Sequence, residues 1–156
     1  GTGGFYVNGV VANWPRAAMS IRDANTYARA GSVGTPDLAT ADLALRNIYS
    51  TQNAVAFETG SGRFAFDVAG NGIDAGTANT AALFTTYPAS IDNATTGASF
   101  DWSPATNSPI ATGGLNAFTG KLAAAAGTAV TATAYRGAAA PGGTKWWQGW
   151  TTYARQ

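Results

Sequence analysis

Gly4-Phe-Tyr-Val-Asn-Gly-Val-Val11 and Leu43-Ala-Leu-Arg-Asn-Ile-Tyr49 decide the reading of the fold. Each is a short run of apolar residues broken by small or polar ones, the pattern of a half-buried strand. Val7, Leu45 and Leu83 are spaced by 38 and 38 residues, and Ile21, Phe57 and Phe100 follow them at 14, 12 and 17. The latter lie in the similar strings Met-Ser-Ile-Arg-Asp23, Val-Ala-Phe-Glu-Thr59 and Ala-Ser-Phe-Asp-Trp102. A solenoid of about three long rungs would stack these side chains inward, each rung burying the face its neighbour exposes. Asn8 and Asn47 would stack at a corner and carry hydrogen bonding from rung to rung, with the register open by one residue.

Further strand signals lie at Ala18-Met-Ser-Ile-Arg22, Ala54-Val-Ala-Phe-Glu58, Arg63-Phe-Ala-Phe-Asp-Val68 and Ala81-Ala-Leu-Phe84, separated by Gly, Asn, Asp, Ser and Pro clusters that supply turns. Gly70-Asn-Gly-Ile-Asp-Ala-Gly76 lacks the Lys and the following helix of a phosphate loop and reads as a turn. Thr35 to Tyr49 has two readings. It is a loop to Ala41 followed by a strand, or a helix capped by Thr35 with Pro36 at its first position and Leu38, Leu45 and Ile48 near one face.

The chain has 156 residues, enough for one domain with a real core. Charged residues make up 11%, well below the usual quarter, and nine Lys plus Arg against eight Asp plus Glu leave +1. No run of like charge occurs, which argues against nucleic acid. Cys and His are both absent, excluding disulfides, Ser-His-Asp and Cys-His catalysis and the common zinc and copper sites. The richest apolar stretch, Leu122 to Val130, is Ala-dominated and too short for a membrane span or signal core. The start at Gly1 reads as a mature or processed product.

The tail carries the most specific signal: Phe100-Asp-Trp-Ser-Pro-Ala-Thr-Asn-Ser-Pro-Ile-Ala-Thr-Gly-Gly114, then Ala134-Tyr-Arg-Gly-Ala138, then Trp146-Trp-Gln-Gly-Trp-Thr151. This order resembles the C-terminal module of secreted bacterial right-handed parallel β-helix proteins, and Phe5 to Asn13 and Leu43 to Asn53 look like rungs of that family. Ala139 departs from it, standing where an aromatic is usual. The resemblance implies an all-β fold, a short right-handed parallel β-helix of about three rungs with an irregular aromatic C-terminal cap. Residues 1–103 would form the rungs and 104–156 a capping module of the same domain. It also implies an extracellular or cell-surface bacterial location.

Trp146, Trp147, Trp150 and Tyr153 form the densest aromatic cluster, read as a plug for the open end, a subunit contact or a platform for sugar rings. Phe5, Tyr6 and Val7 lie in an uncharged, Gly-led first strand whose edge is free to pair with another copy. Arg22, Glu58 and Asp101 align as an outward charged stack with Asp23 beside them, either a surface ion pair or, less favoured, a sugar-acid lyase site needing calcium. The expectation is a structural, non-enzymatic protein that self-assembles head to tail into filaments or a surface array. A cell-surface glycan-binding module is the alternative, with extracellular polysaccharide as partner. No cofactor, metal, nucleic-acid partner or membrane span is expected.

Overall fold

The computed structural model describes residues 1–31, 37–88 and 97–149. The chain makes a first pass through strands β1 (Gly4–Val7), β2 (Val10–Ala12) and β3 (Ala17–Met19), followed by helix α1 (Ala24–Arg29). A second pass runs through β4 (Leu43–Arg46), β5 (Tyr49–Thr51) and β6 (Val55–Phe57). Then come β7 (Asp74–Gly76), α2 (Thr80–Leu83), β8 (Phe84–Thr86), β9 (Asp101–Pro104) and α3 (Gly120–Ala126). Within the Thr35 to Tyr49 stretch, the described residues form a turn after Asp37 and then β4; Thr35 and Pro36 lie outside them.

The two passes pair strand by strand. β1 lies parallel to β4, β2 to β5 and β3 to β6, and β7 adds a third parallel strand beside β5. Each long apolar run of the sequence is therefore two strands rather than one. The break falls at Asn8 (φ 55°) in the first run and at Asn47 (φ 53°) in the second, both in the left-handed region that Asn tolerates better than most residues. A second turn follows at Asn13 (φ 62°) and Gln52 (φ 51°). The Asn8 N–H donates to the Arg46 carbonyl at 3.1 Å, and the Asn47 N–H to that of Asn71 at 2.9 Å. Gly72 (φ 65°) lies over the Asn47 amide, so three left-handed residues sit at one corner.

This arrangement overturns the expected β-helix. Among the described residues there are four separate small sheets, three parallel and one antiparallel, interspersed with short helices, and neither a solenoid nor a closed sheet. The spacing of 38 failed in two ways. Tyr6 stands opposite Leu45 and Val7 opposite Arg46, a slip of one residue that changes which side chains share a face. Leu83 is buried as its spacing implied, but at the end of α2, where Asn79 caps the helix by accepting from the Ala81 N–H. Burial alone does not separate a strand from a short helix. Phe100 is likewise buried beside β9, whose partner β8 runs antiparallel to it. The Arg63 to Val68 stretch forms no strand: Phe64 stacks on Tyr27 and Phe66 on Phe57, at 4.5 and 4.9 Å between ring centroids.

Among the described residues the apolar interior has two centres. Tyr49, Leu83 and Ile110 form one, with Val10 and Phe84 packed against it. Phe100, Ala139 and Trp147 form the other, with Trp102 against it. The Phe84 and Trp102 rings meet edge to face at 5.1 Å and join the two. Gly76 is required beside the first centre, because a Cβ there would collide with the Tyr49 ring.

Candidate functional site: an aromatic groove and an arginine cluster

An open groove of about 430 Å³ runs along the turn between β1 and β2. Tyr6, Phe84 and Trp102 are its rings, and Asn8, Gly137 and Ala138 lie between them. The Tyr6 ring folds back over Gly9, which has no side chain to oppose it, and stays 48% exposed. Asn8 is held by both ends of its amide. Its Nδ2 donates to the Leu115 and Thr133 carbonyls at 3.3 and 3.2 Å, and its Oδ1 accepts from the Leu115 N–H at 2.6 Å. The Gly137 N–H closes the contact by donating to the Asn8 carbonyl at 2.7 Å. One wall is thus fixed by the first turn and the floor by the tail.

The other wall belongs to a continuous set of rings. Tyr87 and Phe84 meet Trp102, Trp102 meets Phe100 at 5.0 Å, Phe100 stacks on Trp147 at 6.1 Å and Trp147 meets Trp146 edge to face at 5.8 Å. Trp146 is half exposed and its Nε1 donates to the Ala138 carbonyl at 2.8 Å, bringing the row back to the groove. Trp147 is buried, and its Nε1 has no hydrogen-bond partner among the described residues. Ala139 is only 3% exposed between Phe100 and Trp147, which explains its small side chain: the indole fills the space.

Of the residues singled out by sequence, Tyr6 lines the groove and Trp146 lies beside it. Phe5 and Val7 face a different, apolar hollow with Phe118, Leu122 and Val130, while Val7 also reaches the groove edge. Trp150 and Tyr153 lie outside the described residues. Arg22 and Glu58 meet at 3.0 Å, but Asp101 is elsewhere, accepting from the Ser103 N–H at 2.9 Å with Lys145 at 3.9 Å. Asp23 caps α1, accepting from the Thr26 N–H and hydroxyl at 2.7 Å each, which hold its carboxyl below the usual range.

Glu58 collects three guanidinium groups. Its Oε2 accepts from Arg63 Nε at 2.8 Å and Arg22 Nη2 at 3.0 Å, and its Oε1 from Arg16 Nη2 at 3.2 Å. The hydrogen bonds from Arg63 and Arg22, with the charges behind them, lower its pKa from 4.5 to about 2. Arg16 and Arg63 were not legible as members, since the aligned strings contain neither. Arg136 was also missed. Its side chain is 5% exposed, pairs with Asp74 at 2.6 Å and donates from Nε to the Asn47 carbonyl at 3.2 Å. The signal was its place inside Ala134-Tyr-Arg-Gly-Ala138.

Among the described residues no group of three or more His, Cys, Asp or Glu is placed to hold a metal ion, and no helix is long and apolar enough to cross a membrane. No family model, curated protein or solved structure matches the chain.

Proposed function

We propose that this chain is a non-catalytic glycan-binding module acting outside a bacterial cell, with a sugar ring of a neutral polysaccharide seated between Tyr6 and Trp102. The observation that carries the reading is the groove itself. Its walls are aromatic, its floor is peptide backbone and no charged side chain lines it. A pyranose offers an apolar face of C–H groups and a rim of hydroxyls. Rings receive the first, and because the Asn8 and Gly137 donors are spent within the fold, the second is met by solvent and by the spare lone pairs of the backbone carbonyls. The sparse charge of the chain suits an uncharged partner.

Titration of neutral polysaccharides followed by Trp fluorescence tests it. Saturable quenching is expected, with at least tenfold weaker binding in Tyr6→Ala, whose ring is half exposed and whose loss leaves the core intact. Trp102→Ala should act in the same direction. Quenching that is absent for every polymer tried, or unchanged by Tyr6→Ala, removes the reading.

Self-assembly remains a second reading, carried by a different observation. Strand β1 pairs with β4 on one side alone among the described residues, so alternate peptide groups of this uncharged strand point away from the sheet. A strand edge of another copy would complete it, giving open chains when the contact does not close. A monodisperse monomer by light scattering at high concentration would exclude it.

A further inference from the structure

The cluster around Glu58 holds more positive charge than its own carboxylate neutralises. Arg16, Arg22 and Arg63 converge on one Glu, leaving an excess of two positive charges. The chain has nine basic residues in all, so a third of them meet at one point. Exposed ion pairs add about 1 kcal/mol at most, and crowding like charges subtracts from that. Stability alone does not account for the third guanidinium.

The donors of the cluster are only partly used. Arg63 is committed, with Nε on Glu58 and Nη1 on the Gly62 carbonyl. Arg22 spends Nε on Ser20 Oγ and Nη2 on Glu58, leaving Nη1. Arg16 spends Nη2 alone. Both side chains are open to solvent, at 79% for Arg16 and 60% for Arg22. They edge a hollow of about 230 Å³ that Glu58 and residues 17–20 also line, with Trp14, 58% exposed, on its other side. Trp14 is held by its backbone. Its N–H donates to Asn53 Oδ1 at 2.8 Å, and Asn53 Nδ2 is tied to the Val11 carbonyl and Ser50 Oγ, both at 3.0 Å. Glu58 thereby positions two guanidinium groups beside Trp14, whose backbone is held by a separate network.

We infer that the hollow between Trp14, Arg16 and Arg22 binds a phosphate monoester, with the phosphate on the remaining donors of the two guanidinium groups and the organic body against the Trp14 ring. Charge selects the ligand class. A phosphate monoester carries close to two negative charges at neutral pH and three acceptor oxygens, matching the excess and the free donors. A carboxylate or a phosphodiester brings one charge. The hollow is smaller than a drug-sized pocket, so it suits a single sugar-phosphate unit. This site is separate from the aromatic groove, and the two readings stand or fall independently.

Calorimetric titration of the whole chain with glucose 6-phosphate at low salt tests it, beside glucuronate, glucose and inorganic phosphate. Glucose 6-phosphate is expected to bind at least tenfold more tightly than glucuronate, more tightly than inorganic phosphate because Trp14 adds the ring contact, and glucose not at all. Arg16→Met and Trp14→Ala alter exposed side chains and should each weaken binding at least threefold, whereas Arg29→Met, a cation of another pair, should change nothing. Glucuronate binding as tightly, inorganic phosphate binding as tightly, or Arg29→Met weakening binding equally would each overturn the proposal, as would no heat with any phosphate. Tyr6→Ala should leave this binding intact, which separates its failure from that of the groove.

Discussion

The Arg136 guanidinium reaches from the tail into the corner where the chain turns between strands. Its Nε donates to the Asn47 carbonyl at 3.2 Å, its Nη2 to that of Gly72 at 3.4 Å, and its Nη1 meets Asp74 at 2.6 Å. Its own N–H donates to the Ile110 carbonyl at 2.8 Å. Gly113 lies flat against the guanidinium, where a Cβ would come within 2.7 Å of it. One residue therefore fastens two turns of the strand region to the tail, its side chain reaching the turns and its backbone N–H the Ile110 segment. Because the guanidinium is buried, its removal leaves the part-buried Asn47 and Gly72 carbonyls without their donor, while Asp74, 58% exposed, is left to water. Arg136→Met should cost about 1.5 to 3 kcal/mol, the range for hydrogen bonds to a charged group. Arg136→Lys should recover little of it, since a single ammonium lacks the planar fork that spans Asn47, Gly72 and Asp74. Urea unfolding of both variants checks this; a lysine variant as stable as the parent would show that charge, not the fork, is what matters.

At the scale of elements, the left-handed corners decide where strands stop. Asn47 ends β4 with φ 53°, and its Nδ2 donates to the Gly113 carbonyl at 2.9 Å. Asn47→Gly keeps the backbone conformation and loses the side-chain bond; Asn47→Ala loses both. The alanine variant should be less stable than the glycine variant by about 1 kcal/mol, the left-handed penalty of a residue with a Cβ. Thermal melts of the pair measure the difference directly, and equal stabilities would mean that the corner relaxes. This logic also marks what the sequence made legible. Alternation in Gly4 to Val11 and Leu43 to Tyr49 located strands because half-buried strands need it. Alternation did not place the bends; the corner expected at Asn8 and Asn47 rested on the Asn residues themselves, and nothing local showed that Thr80-Ala-Ala-Leu83 forms a helix. Four residues satisfy either period. Tyr6 and the tryptophans stood out by type, but the groove also needs Trp102 beside Phe84. That meeting depends on β8 pairing with β9, with Phe84 opposite Pro104, a contact encoded by no local pattern. Arg16 joins Glu58 from the turn after β2 for the same reason.

For the molecule as a whole, carboxylates tied to cations link the fold to pH. Glu58 has its pKa lowered to about 2, mainly by hydrogen bonds from Arg63 and Arg22. Asp42 is lowered by Lys121, which reaches it at 2.6 Å from α3, with Arg29 of α1 on its other oxygen at 3.8 Å. Asp23 is lowered by its cap to Thr26. Glu58 and Asp42 join segments distant in sequence: Glu58 draws together the turn after β2, the segment beyond β3 and the loop after β6. A group whose folded pKa is depressed contributes stability in full above its unfolded value and loses it as pH falls through the folded one. For Glu58 the loss begins near 4.5, where the unfolded chain takes up the proton first, and ends near 2, where both states are protonated. Stability should therefore decline modestly with acid across that window, because solvent screens the exposed partners of Glu58. Glu58→Gln should be less stable at pH 7, because a neutral amide faces three guanidinium groups, and its stability should fall less between pH 5 and pH 3, so the two curves converge. Raising salt should narrow the neutral-pH gap, since Arg16 and Arg22 are exposed and their charges are screened within about 10 Å at 0.1 M. Urea unfolding of both proteins across this range is the measurement. Curves that stay parallel from neutral to acid would place the proton uptake on other carboxylates and remove Glu58 as the centre of the acid response.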